Sequence, residues 1–406
     1  MHPDCRVNKL KHFHQTSRLG LCCGVAVRHR IPNLTVQSVL VVAICVAAAS
    51  ETLASGAGNA GLARTFDSHF SLGVAVGKSL WSPEETDTKL LCEREFTSST
   101  PENFLKWSEV QPDRGEFAWS IPDRWAQWGE KHNFELVGHV LVWHRQTPKW
   151  VFQDETGKHR SRESLRTLLE EHISAVVERY RGRITIWDVV NEAIEDDGSR
   201  RDSPWRQILG DDYVAEAFRL ASEADPDAKL VYNDYNVWMP KKRAGILKLL
   251  SEVRASGAPV HGIGIQGHWG LNYPVLDEVR ATLEDFTNAG FEIHITELDI
   301  TVLPNPTAIP TAEVGTRIEY QKAVDPYRNG LPKEVSKRLA ERYHELFSVF
   351  LDYPQVQRVT FWGANDAVSW RNNFPIRGRM DYPLLFDRSG RPKMAYEYLS
   401  NLRPNH

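Results

Sequence analysis

Two glutamates stand where a folded chain would put them to use. Ile186-Trp187-Asp188-Val189-Val190-Asn191-Glu192-Ala193 reads as an apolar strand that ends in an Asn-Glu pair. Ile293-His294-Ile295-Thr296-Glu297-Leu298-Asp299 reads as a second strand that also ends in a glutamate. A carboxylate at the C-terminal tip of each of two such strands is how an α/β barrel displays its chemistry. Two carboxylates facing one substrate are what cleavage of a glycosidic bond requires. One must stay protonated while the other is ionised at the same pH, and a negative neighbour helps to raise the first.

Polar and aromatic residues collect at the neighbouring strand exits. They are Pro101-Glu102-Asn103-Phe104-Leu105-Lys106-Trp107, Gly138-His139 through Trp143-His144 with Gln146, and Asn233-Asp234-Tyr235-Asn236. Gln266-Gly267-His268-Trp269 and Phe361-Trp362-Gly363, with Trp370 beyond, complete the set. Taken singly each is weak evidence. Lys106 also reads as a solvated charge, and His294 as a hydrogen-bonded filler of the barrel. His139 and His144 form no i,i+4 helical pair and there is no His-Glu-x-x-His run, so neither a metal nor a cofactor is expected. Taken together they suit a sugar. A pyranose ring offers apolar faces for aromatic stacking and a fringe of hydroxyls for charged and amide partners.

The elements that must position these groups follow from periodicity. Short β-type runs at 70–76, 96–99, 135–141, 185–191, 229–233, 262–266, 292–297 and 356–362 alternate with amphipathic stretches. In 161–180, Leu165, Leu168, Leu169, His172, Ile173, Val176 and Val177 recur at helical spacing, and 211–224, 240–255 and 332–351 read the same way. Pro240 and Pro332 sit where a first helical turn tolerates proline. Eight strands and eight helical intervals predict an α/β fold, a (β/α)₈ TIM barrel with a single catalytic domain over residues 66–402. The stretch 299–330 is non-periodic, holds Pro304, Pro306, Pro310 and Pro326, and is expected to wall a cleft.

The 406 residues carry a formal net charge of -4, which gives no reason to expect a nucleic-acid partner. With 41% hydrophobic and 25% charged residues, the composition is that of a soluble globular enzyme. Of the five cysteines only Cys92 lies beyond residue 50, which excludes a disulfide framework. Residues 1–35 hold six Lys or Arg against one acid, Asp4, and eleven uncharged apolar residues follow from Val39 to Ala49. A basic lead, a short apolar run and a small-residue exit predict a secretory signal peptide within residues 1–54. Eleven residues are too few to span a bilayer comfortably, so no stable membrane insertion is expected after cleavage. A secreted or periplasmic location follows.

These motifs resemble glycoside hydrolase family 10, whose members are mostly endo-1,4-β-xylanases, and the resemblance covers roughly residues 66–402. Its most specific parts are Trp187 through Glu192, Thr296-Glu297-Leu298-Asp299, and Gly138-His139 through Trp143-His144. The resemblance implies Glu192 as general acid/base and Glu297 as nucleophile of a retaining mechanism. It implies Asn191 on the sugar 2-hydroxyl, and His268 with Asp299 keeping the nucleophile ionised. Glu102, Asn103 and Lys106 would serve the glycone side, with His139, Trp143 and Gln146 around the cleaved sugar. Trp362 and Trp370 would cover that sugar, and Tyr235 would face the leaving group. Xylan or xylo-oligosaccharide is the implied substrate, bound by a monomer. Val140 and Gly267 depart from the family, which more often has Thr and Ser there, and the segment 371–379 is more basic than expected. A β-1,4-glucan or aryl glycoside is the alternative substrate. A catalytically silent carbohydrate-binding barrel is the reading outside enzymology, and a binder would need neither glutamate.

Overall fold

The apolar runs become parallel strands because helices cover the outside of the sheet while side chains fill its inside. A computed structural model describes residues 61–304 and 323–402. The expected signal segment and most of the proline-rich stretch lie outside the described residues. The strands are β1 (Ser71–Val76), β2 (Ser98–Pro101), β3 (Glu135–Trp143), β4 (Ile184–Asn191), β5 (Lys229–Asp234) and β6 (Gly262–Ile265). A short β7 (His268–Gly270) precedes β8 (Glu292–Thr301) and β9 (Val356–Phe361). Around the sheet the order is β6-β5-β4-β3-β2-β1-β9-β8, all pairings are parallel, and β6 pairs back onto β8. The eight strands therefore close into a (β/α)₈ barrel.

The principal helices alternate with these strands. They are α1 (Thr86–Glu95), α2 (Ser120–Lys131), α3 (Arg162–Arg179), α4 (Tyr213–Ala224), α5 (Pro240–Ala255), α6 (Leu276–Asn288), α7 (Lys333–Leu351) and α8 (Met394–Ser400). In α3 the Ser161 hydroxyl accepts the Ser164 N–H at 3.2 Å, satisfying a donor that the first turn leaves free. All seven residues of its periodic stripe are buried. Pro240 opens α5, whereas Pro332 sits one residue earlier, as the N-cap of α7.

The middle of the barrel is held by close approaches across neighbouring strands. Trp187 on β4 is fully buried and lies over Gly138 on β3, where an added Cβ would come within 2.1 Å of the indole. Gly138 is thus the space that Trp187 fills. Burying such a ring removes ~150–250 Å² from water, about 4–6 kcal/mol. Cys92 is a free, buried thiol.

Three expectations need correction. The strand carrying Glu297 does not stop there but runs on to Thr301, because the short β7 pairs with it through His268↔Asp299 and Gly270↔Thr301. Glu297 therefore projects from within a strand rather than from its tip. β2 lies two residues later than the apolar pattern suggested, since its register opposite Gly73 to Val76 is set by Ser98 to Pro101. His294 is buried, yet neither ring nitrogen has a hydrogen-bond partner, and Glu292 is 3.8 Å away. Burial keeps its imidazole far below the ordinary histidine range, so it packs as a neutral ring.

Candidate active site

Glu192 is aimed by strain. β4 ends at Asn191, and the next residue adopts φ +58°, a left-handed conformation rare outside glycine. Its N–H bonds the Asn233 carbonyl on β5 at 2.9 Å, which fixes the turn. Such a residue costs about 1–3 kcal/mol and persists where its surroundings over-determine it. Burial of Trp187 alone offsets that. Gln146 (φ +44°) and Asn236 (φ +52°) are strained likewise, and both line the same cleft as Glu192. Gly267 takes φ +76° just before His268, and glycine enters that region freely.

That cleft encloses about 630 Å³ at the C-terminal end of the barrel. It is lined by Glu102, Asn103, Lys106, His139, Trp143 and Gln146 from β2, β3 and the loops after them. Asn191, Glu192, Tyr235, His268, Glu297, Trp362 and Trp370 are among those that line it from the other side. Every cleft residue singled out from the sequence is therefore brought together. Asp299 stands apart: it is fully buried behind the cleft and reaches it through His268 and Trp370.

The two glutamates have different company. Glu192 accepts the Trp143 indole N–H at 2.9 Å on Oε2, and on Oε1 the amides of Gln266 at 3.0 Å and Asn191 at 3.3 Å. The nearest imidazole, His144, lies 4.0 Å from Oε2. Burial, with Arg201, Arg145 and Lys242 nearby, pulls His144 down to about 3, so it stays neutral. Glu297 accepts the Asn233 amide at 2.8 Å on Oε1 and faces His268 Nε2 at 3.0 Å on Oε2. Burial alone would push Glu297 up. The hydrogen bond from His268 and the influence of His139, His268 and Lys106 outweigh that and leave it below the ordinary carboxyl range.

His268 is held between two carboxylates, with Nδ1 3.0 Å from Asp299 Oδ1. Burial opposes its protonation, but Asp299 and Glu297 lift it to about 9. Below that pH the ring is an imidazolium donating to both carboxylates. Asp299 in turn lies below its ordinary range against the pull of burial, chiefly through Arg371 and His268.

Aromatic rings and polar groups line the rest. Trp362 meets the His139 ring edge-on at 5.4 Å, and Trp370 tilts over His268 at 4.7 Å. Trp370 also donates its indole N–H to Asp299 Oδ2 at 2.7 Å. Lys106 Nζ bonds Asn103 Oδ1 at 2.9 Å and stands 4.8 Å from the Trp143 ring centroid. The Tyr235 hydroxyl accepts from Arg201 Nη2 at 2.8 Å, and Lys242 Nζ caps its ring at 3.4 Å.

Sequence reasoning did not single out Asn233 or Gln266 as site residues. Asn233 donates to both Asn191 Oδ1, at 3.0 Å, and Glu297 Oε1, which links the two glutamates through side-chain amides. Both residues lay inside strand-exit motifs, and an amide at such an exit, pointing inward, was the available signal. Phe374 was missed as well. It stacks on Trp370 at 5.1 Å, is 53% exposed, and lines the cleft.

A parallel barrel with two glutamates in an aromatic-lined cleft at its C-terminal end is the arrangement of a glycoside hydrolase. Residues 61–402 match the family described as Glycosyl hydrolase family 10, and the chain belongs to that family. It is 41% identical to an endo-1,4-beta-xylanase of Geobacillus stearothermophilus, over 84% of this chain and 98% of that protein. Endo-1,4-beta-xylanase A of Xylanibacter ruminicola is 39% identical over 82% of this chain and 91% of its own length. Among solved structures, a GH10 endoxylanase retrieved from sugarcane soil metagenome superposes with a TM-score of 0.80. It is 45% identical, over 84% of this chain and 99% of that one. A mutant structure in complex with xylotriose gives a TM-score of 0.75 at 36% identity, over 84% and 99% of the two chains.

Proposed function

We propose that the chain is a retaining endo-1,4-β-xylanase, exported from the cell, that hydrolyses internal bonds of xylan with Glu297 as nucleophile and Glu192 as acid/base. The observation that carries this reading is the unequal setting of the two glutamates. Glu297 faces an imidazolium at 3.0 Å, while the imidazole nearest Glu192 is neutral.

In the first step the Glu297 carboxylate attacks the anomeric carbon while Glu192 gives its proton to the departing oxygen, leaving a glycosyl ester. Esterification removes the charge of Glu297, so Glu192, now a carboxylate, takes a proton from water. That water attacks the anomeric carbon and displaces Glu297. Asn191 contacts the 2-hydroxyl, where a hydrogen bond strengthens as oxocarbenium character develops. Glu102, Asn103, Lys106, His139, Trp143 and Gln146 hold the glycone and the cleaved sugar, Trp362 and Trp370 cover it, and Tyr235 faces the leaving group. Activity as a monomer is part of the same proposal.

Release of reducing ends from a panel of xylans, followed by proton NMR, tests both substrate and stereochemistry. Xylan should be cleaved far faster than carboxymethyl cellulose, and the first product should be the β-anomer. Faster cleavage of the cellulose derivative would make the enzyme a glucanase, and the α-anomer appearing first would make it inverting. Binding without turnover would leave a carbohydrate-binding barrel.

Export is proposed from the basic-apolar-small order of residues 1–54, which leaves a catalytic domain over 66–402. Sequencing the natively produced protein should find a first residue between about 50 and 60. Full-length chain retained in the cytoplasm would contradict it.

A further inference from the structure

We propose that Arg371 is a positioning residue for the nucleophile: it anchors Asp299, which anchors His268, which holds Glu297. The inference rests on Glu297 being the nucleophile. Arg371 belongs to the basic segment after β9, but it does not face solvent as a loop arginine usually does. Its side chain is only 12% exposed, and its Nε donates to Asp299 Oδ1 at 2.6 Å. The short turn Trp370–Asn372 that presents it is pinned by the Ser369 hydroxyl, which accepts the Arg371 N–H at 3.3 Å.

Counting charges gives the reason for it. Glu297, His268 and Asp299 form a buried row of two anions and one cation, with a net charge of minus one if nothing else stood there. An uncompensated buried charge is costly, and the cheapest relief is to bind a proton on one of the two carboxylates. Arg371 supplies the missing positive charge permanently, since a guanidinium does not titrate in the working range. Other groups face the row from every side. His139, Lys106 and Glu102 act on it from the cleft, where Glu192 acts in turn on Lys106, with Tyr273 and Asp381 behind Arg371. Asp381 shares the charge of Arg371, but burial raises it above the ordinary carboxyl range, and it is also held by the Thr301 hydroxyl at 2.5 Å and the N–H groups of Val302 at 3.1 Å and Tyr382 at 2.8 Å. Among these groups Arg371 is the cation in direct contact with Asp299 other than His268 itself.

The same contact ties chemistry to substrate covering. Asp299 accepts from Trp370 on one oxygen and from Arg371 and His268 on the other. The loop that carries the indole is thereby fastened to the residue that orients His268.

The sign of the effect follows. Glu297 acts as an anion, so activity falls as pH drops through its pKa. Removing a nearby cation makes that anion easier to protonate and moves the acid limb of kcat/KM to higher pH. Measured on an aryl β-xylobioside, Arg371→Met and Arg371→Gln should each raise the acid limb by about half a pH unit or more. Arg371→Lys should return it to within about 0.2 unit of wild type. Should the Met variant not fold, the Gln variant decides. A limb unmoved in the Gln variant, whatever the loss of rate, overturns the proposal, because a merely structural arginine would lower activity without shifting the limb. Trapping wild-type enzyme with a 2-deoxy-2-fluoro xylobioside separates the two readings. A label on Glu297 with an unmoved limb refutes only the role of Arg371. A label on another residue refutes the nucleophile assignment itself.

Discussion

Replacing Glu297 by alanine should abolish turnover of every glycoside, irrespective of its leaving group. Without a carboxylate below the anomeric carbon no glycosyl ester forms, and protonating the leaving oxygen cannot compensate. A loss in kcat of roughly 10⁴ or more, about 5.5 kcal/mol, is expected on xylan and on dinitrophenyl xylobioside alike. Steady-state kinetics on the two substrates check it. Survival of the activated substrate would show that another group performs the first step. Azide offers a second check. It should enter the space left by the missing carboxylate and yield the α-glycosyl azide. The fold should tolerate the change poorly at one point only, since Asn233 and His268 would each lose an acceptor on Glu297.

Much of this was legible in the residues because barrel chemistry concentrates at strand exits, which periodicity locates well. Glu192 was readable because a strand visibly ends at Asn191. Glu297 was readable too, although β8 continues past it. That continuation depends on β7, three residues whose pairing with Asp299 to Thr301 has no local signature. Half of the principal helices were named from periodicity. The stripes of α3 and α7 are long and apolar, whereas α1 carries buried Leu91 and Cys92 among charged residues and gives no clear stripe.

The side chains that escaped notice share a physical reason. Asn233 reads as a polar strand end, and only the closed barrel turns its amide onto Glu297 and Asn191. Arg371 opens a segment that stands out in the sequence only as more basic than expected, yet tertiary packing folds this member inward onto Asp299. The left-handed φ of Glu192 is likewise invisible to propensity, which assigns such conformations to glycine or asparagine. Local preference fails here at residues of the cleft, and functional sites are where strain is concentrated in folded enzymes.

Glu192→Ala should separate the two chemical steps instead of abolishing both. A dinitrophenolate leaves without a proton, so Glu297 can still form the glycosyl ester from dinitrophenyl xylobioside. Hydrolysis of that ester then lacks a base. The expected trace is a burst of about one equivalent of phenolate followed by a slow steady rate. Xylan departs as an alkoxide that needs the proton, and its cleavage should fall by roughly three orders of magnitude or more. Azide, needing no base, should restore the steady rate and give the β-glycosyl azide by entering from the face that Glu192 guards. The setting of Glu192 makes this clean. Trp143, Gln266 and Asn191 converge on it as donors, and neutral His144 is the nearest imidazole. Among these neighbours none is an acid able to deliver a proton in its place. Equal loss on both substrates, or an α-azide from this variant, would mean that the two glutamates exchange roles.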